Sequence, residues 1–232
     1  VLNDTRLCIG YCYLNLNRSG LAMHWMREYL KYRKTVKQSR YNIKETREDL
    51  KSLENELLIC ELTNKHEYKK ALPLILKELK KDPDNAFLLD RLSMIYYEQH
   101  KYRKALAASK KANELVKNDP LYIWNYACDL MMVGRKEDAI QQFKRILKKG
   151  LQTVAFGKGG EGLQWAKSLV NDCRGCIGEC YGDLKDYPLA IKWIRSHLRN
   201  RRAGIPSIFK AEEVKEMMRK YERKLLRQQE SR

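Results

Sequence analysis

The stretch RLCIGYCYLNLNRSGLAMHWMREYLKYRK, from Arg6 to Lys34, aligns without a gap on RGCIGECYGDLKDYPLAIKWIRSHLRNRR, from Arg174 to Arg202, and 13 of the 29 positions are identical. Ile9 matches Ile177, Gly10 matches Gly178, Tyr13 matches Tyr181 and Ala22 matches Ala190. A segment copied over this length points to a chain assembled from repeated helical units. With 232 residues and 44% apolar content, such a chain can bury a sizeable core.

The matched positions resemble the tetratricopeptide (TPR) pattern, L-G-x2-Y followed by an alanine at the crossing point of a helix hairpin. Crossing alanines at Ala22, Ala71, Ala105, Ala139 and Ala190 are separated by 49, 34, 34 and 51 residues. The two central spacings equal the family period. The resemblance implies an all-α fold, an α-solenoid of about five TPR helix hairpins plus a C-terminal capping helix. The repeats are placed near 3–34, 52–84, 86–117, 120–150 and 161–202, with a linker at 203–210 and the capping helix and tail at 211–232. Pro83 takes the family's terminal proline position, Gly134 an inter-helix turn, and Phe143 the aromatic position after Ala139. The first excess of 15 residues holds the charged stretch Ser39 to Lys51, without Gly or Pro, and predicts lengthened helices. The second excess, of 17 residues, holds the irregular insertion LQTVAFGKGGEGLQWAKS. On the last helix, Val214, Met217, Met218, Tyr221 and Leu225 share one apolar face, suited to covering the end of a repeat array.

Helical-repeat proteins of this family usually bind macromolecules rather than catalyse, so the resemblance implies a non-enzymatic protein–protein interaction scaffold or adaptor. In the family's register the fifth, ninth and twelfth places of each first helix look into a concave groove. In this chain they hold Leu7, Tyr11 and Leu14; Asp90, Met94 and Tyr97; Trp124, Cys128 and Met131, with Met132 beside it; and Gly175, Glu179 and Gly182. The expected binding groove is therefore Tyr11, Met94, Tyr97, Trp124, Cys128, Met131 and Met132. Its aromatic and methionine content suits an apolar peptide or helix. The lysines, asparagines and arginines by which some family members clamp a chaperone's acidic tail are missing, since Leu7, Tyr11, Glu56, Cys60, Asp90 and Met94 stand in those places.

Charge gives the alternative. Forty-seven Lys and Arg against 29 Asp and Glu leave a net charge of +18, a field able to draw RNA or DNA to the convex face. Lys215, Arg219, Arg223 and Arg227 form a row with four-residue spacing, a possible basic patch.

No catalytic constellation is read, and no cofactor or metal is expected. The fingerprint Gly157-x-Gly159-x-x-Gly162 lacks the strands that give it meaning for nucleotides, so a flexible glycine loop is expected instead. Cys173, Cys176 and Cys180 lie on a helical pattern, two of them copying Cys8 and Cys12, and read as packed thiols. The odd total of seven cysteines predicts free thiols and a cytoplasmic location. His66 and His100 read as solvated turn residues. No targeting or membrane-spanning segment is read, although the chain opens on Val1 rather than Met.

Overall fold

The computed structural model of the chain describes residues 2–15, 18–33, 39–157, 159–201 and 205–230. Among the described residues there is helix and turn but no strand. The chain forms two compact units, Val1–Pro83 and Asp84–Arg232. The first contains α1 (Leu2–Asn15), α2 (Ser19–Arg33), α3 (Ile43–Asn64) and α4 (Tyr68–Leu79). The second contains α5 (Ala86–Glu98), α6 (Tyr102–Leu115), α7 (Pro120–Met132), α8 (Lys136–Lys149), α9 (Leu151–Phe156), α10 (Leu163–Asp183), α11 (Tyr187–Asn200) and α12 (Ala211–Glu230). Helix starts follow local chemistry. Asn42, Asn85, Asp119 and Asp186 cap α3, α5, α7 and α11 by accepting amides of the first turn, and Pro120 sits where α7 needs no donor.

One backbone device closes the hairpins. His66, His100, Gly134 and Lys185 have φ of 57°, 57°, 84° and 63°. The next amide in each case donates to a carbonyl five residues back: Glu67 to Leu62, Lys101 to Tyr96, Arg135 to Leu130 and Asp186 to Tyr181. This is the Schellman ending of a helix, in which one left-handed residue lets the chain reverse. Glycine adopts that conformation without steric cost. In the two histidine turns the ring Nδ1 lies 2.6 Å from the Tyr68 hydroxyl and 2.7 Å from the Tyr102 hydroxyl, so both side chains are tied to the following helix.

The five crossing alanines are each 0% exposed. Small residues are required there because the paired helices touch. A Cβ on Gly10 would stand 3.3 Å from the Ala22 carbonyl oxygen, and one on Gly178 would stand 2.7 Å from Ile194 Cδ1. The duplicated glycine thus preserves a close helix approach in both copies.

The irregular insertion becomes α9 followed by a glycine-containing loop. Gly159, at φ 75°, lies so close to the Asp119 carboxylate that no side chain fits, and the Gly162 amide, at φ 95°, donates to the Ala155 carbonyl over 3.0 Å. Gly159 packs against the start of α7, and Gly157 and Gly160 against carbonyls of α9; Lys158 lies outside the described residues. On α12, Val214 and Tyr221 are buried, with Met217, Met218 and Leu225 beside them, against Tyr187, Ala190, Ile191 and Ile194 of α11. Among the described residues no helix is long and apolar enough to cross a membrane.

Candidate functional site

Helices α5 and α7 bring four of the expected side chains together. Met94, Tyr97, Trp124 and Cys128 line a depression of about 300 Å³, together with Ser93, Asn125, Asp129 and Ile208. The helix period explains the alignment, because residues four apart on α7 (Trp124, Cys128) and three apart on α5 (Met94, Tyr97) share a face. Trp124 is held edge-on to the buried Phe143, with ring centroids 5.2 Å apart, and is only partly buried itself. An amphipathic aromatic fixed on one side by the core and open on the other is a ready contact surface.

The floor of the depression is polar and internally satisfied. Asn125 Nδ2 donates to Asp90 Oδ1 over 2.6 Å, and Ser93 Oγ donates to Asp129 Oδ2 over 3.1 Å. Burial pushes the Asp90 carboxyl up and takes Asp129 from 3.8 to about 6, against the opposing hydrogen bonds from Ser109 and Ser93. Burial also raises Tyr97 to about 12 and drives the Cys128 thiol far above the ordinary thiol range, so both are neutral near pH 7. Among the described residues no lysine or arginine lines the depression. Its described lining is apolar, aromatic and sulfur-containing, over the buried carboxyls of Asp90 and Asp129.

Similarity to known proteins bears on the fold. No protein-family model matches the sequence, and no curated protein matches it. Among solved structures, YrrB, described as a TPR protein with an unusual peptide-binding site, superposes with a TM-score of 0.54 over 86% of each chain at 14% identity. The structure of TTC0263, a thermophilic TPR protein of Thermus thermophilus, matches 97% of this chain and 99% of its own at 14% identity and a TM-score of 0.47. A structure of MamA matches 76% of this chain and 93% of its own at 20% identity and a TM-score of 0.49. The chain has the tetratricopeptide-repeat fold. At these identities the likeness to YrrB is one of architecture.

Within the TPR frame, three of the expected groove residues lie elsewhere. Met131, on the same face as Trp124, packs half-buried against the core rather than lining the depression. Met132 lines a different depression, with His100, Tyr102 and Val133, because one further residue turns the side chain about 100° around the helix. Tyr11 belongs to the first unit, where its hydroxyl donates to Asp49 Oδ2 over 2.7 Å and its ring lies 6.3 Å from that of Tyr41. Two neighbouring positions of the same register are also closed. Leu7 is 0% exposed, and Asp90 is buried under Asn125.

The fifth hairpin differs from its sequence reading most. Gly175 and Gly182 are not open: the Phe209 ring fills the space over Gly175 and the Tyr221 phenol fills that over Gly182. The segment read as a linker therefore lies on α10 from 205 to 209, while 202–204 fall outside the described residues. Asp172 of α10 accepts from Ser207 Oγ over 2.6 Å and from the Ile208 amide over 3.3 Å. Sequence reasoning missed Asp172, Ile208 and Phe209. The available signal was the pair of glycines standing where the first copy carries Leu7 and Leu14.

The thiols of α10 are core. Cys173, Cys176 and Cys180 are buried, and burial raises Cys180 to about 12 and the other two well above the ordinary thiol value. Among the described residues no group of three His, Cys, Asp or Glu side chains is placed to hold a metal ion. The basic row Lys215, Arg219, Arg223 and Arg227 is exposed on α12, where it is interleaved with acids: Lys215 pairs with Glu212, and Glu222 holds Arg195.

Proposed function

We propose that this chain is a non-enzymatic interaction adaptor that holds an apolar peptide segment against Met94, Tyr97, Trp124 and Cys128. The observation that carries the reading is that depression: four partly exposed apolar or aromatic side chains from two successive first helices, the pair on α7 braced from behind by the core. Such concave faces are the usual binding surfaces of helical-repeat proteins. Peptide binding by YrrB, stated for that protein, is in keeping with this reading. Among the described residues the lining holds Met94, Tyr97, Trp124, Cys128 and Ile208 and neither lysine nor arginine, in a chain of net charge +18, which favours apolar segments over acidic ones.

The test is a synthetic library of apolar peptides screened against the purified chain, followed by titration of the best binder into the Trp124→Ala variant. A loss of about 2 kcal/mol or more, roughly 30-fold, is expected for removing a buried aromatic anchor. Equal affinity for wild type and variant, or no binder in the library, defeats the reading.

A further inference from the structure

Resting on the reading of the concave face as a peptide groove, we infer that residues Ile205–Phe209 are a resident ligand of its α10 half, and that the surface there recognises a serine–apolar–aromatic segment, which an incoming partner supplies in place of the chain's own.

The first support is the divergence of the duplicated segment. Leu7 and Leu14 in the N-terminal copy correspond to Gly175 and Gly182 in the C-terminal copy, while the crossing residues of the two copies are kept. Glycine in a helix interior costs about 1 kcal/mol relative to alanine, so two of them on one face need a reason. The reason is visible. A Cβ on Gly175 would stand 2.7 Å from Phe209 Cε2, and the Gly182 site is filled by Tyr221. The first copy fills its own face with leucines. The last leaves two seats, one for a helix that caps and one for a segment that merely crosses.

The second support is how that segment is held. It has no regular secondary structure, and its backbone is read by side chains. Ser207 Oγ donates to Asp172 Oδ1 and accepts the Phe209 amide over 3.1 Å, a serine turn, while the Ile208 amide donates to the second Asp172 oxygen. Ser168 Oγ donates to the Pro206 carbonyl, and Arg201 Nη1 donates to the Phe209 carbonyl over 2.5 Å. Phe209 packs edge-on to His197, with centroids 5.5 Å apart. This is the grammar of peptide recognition: main-chain groups bonded by fixed side chains, one hydroxyl read by a carboxylate, and one aromatic in a pocket.

The third support is position. Ile208 is 65% exposed, yet it forms one wall of the depression lined by Met94, Tyr97, Trp124 and Cys128. The resident segment ends where the open groove begins, so a peptide long enough to run along α5, α7 and α10 meets it and displaces it. A tethered occupant acts at an effective concentration on the order of millimolar, which lowers the apparent affinity of any competitor.

The test uses the full chain and the acetylated hexapeptide Ile-Pro-Ser-Ile-Phe-Lys, the sequence from Ile205 to Lys210, carrying a fluorophore. Ser207→Asp sets a carboxylate against Asp172 and releases the segment by repulsion. The released protein should bind the hexapeptide at least about 10-fold more tightly than wild type. The same peptide with alanine for serine, or addition of Asp172→Asn to a protein released by Phe209→Ala, in which Ser207 is kept, should weaken that binding by about 10-fold or more, since a charged hydrogen bond is lost. Phe209→Ala serves as a second release variant if Ser207→Asp does not fold. No gain over wild type in a folded release variant, or indifference to the serine, overturns the inference. Library peptides that bind through Trp124 while the hexapeptide fails leave the groove reading standing and this one refuted. Hexapeptide binding with no Trp124-dependent binder refutes the α5–α7 site and retains the α10 surface. Failure of both refutes both.

Discussion

Replacing Gly182 with alanine should destabilise the second unit, and removing Tyr221 should reverse the sign of that effect. Gly182 is the penultimate residue of α10 and has no positive φ, so alanine there gains at most about 1 kcal/mol of helix propensity. Against this, the new Cβ overlaps the phenol end of Tyr221 (Cζ, the hydroxyl and Cε1), a residue 6% exposed that stacks on Tyr187 with centroids 6.0 Å apart and planes at 23°. Since the obstacle is a ring packed between α10 and α11 rather than a flexible chain end, the ring must leave its seat. Loss of a buried aromatic costs about 3–5 kcal/mol, so the net change is a destabilisation of about 2–4 kcal/mol. In a Tyr221→Ala background the seat is empty and only the propensity gain remains, at most about 1 kcal/mol of stabilisation. Four proteins, wild type, both single variants and the double variant, followed by circular dichroism in guanidinium chloride, give the coupling energy. Equal destabilisation by Gly182→Ala in both backgrounds would refute the claim that the tyrosine occupies the glycine.

Four further outcomes follow from named contacts. Asp129, raised to about 6 in the folded chain, binds its proton more tightly than when unfolded, so stability should fall as pH rises from about 4 to about 6, by up to about 3 kcal/mol. Asp129→Asn should flatten that slope in melting temperature against pH, and an unchanged slope would assign the raised carboxyl elsewhere. Gly159→Ala should cost more than about 1 kcal/mol, because φ is 75° and the Asp119 carboxylate already fills the side-chain space; a neutral effect in thermal melts would contradict the packed loop. Exposed Cys8 and Cys12 should react with a thiol reagent in native buffer, whereas Cys173, Cys176 and Cys180 should react only on unfolding; early labelling of α10, read by peptide mass, would place them outside the core. Reversing Arg219, Arg223 and Arg227 to Glu should abolish only weak, salt-labile association with RNA or DNA, in the range of about 10⁻⁴ to 10⁻⁶ M for wild type at physiological salt. Sub-micromolar, sequence-selective binding lost in that variant would instead make the alternative the function.

Sequence alone determined the fold, because repeat architecture is written locally. The copied segment, the alanines at the crossings and the glycine at the Gly134 turn each answer a constraint within one hairpin, and a hairpin spans little more than thirty residues. That Met94 and Tyr97 share one face of α5, and Trp124 and Cys128 one face of α7, was legible for the same reason, since each pair is related by helix geometry alone. Pairings between distant segments were not legible. That Gly159 lies against Asp119, and that Phe209 and Tyr221 fill the faces of Gly175 and Gly182, depend on which side chain reaches an empty space across 34 to 40 residues of sequence. An empty seat has no residue to announce it. Glycine in one copy of a duplication, where the other copy carries leucine, is the sequence trace of a contact that only the tertiary structure could complete.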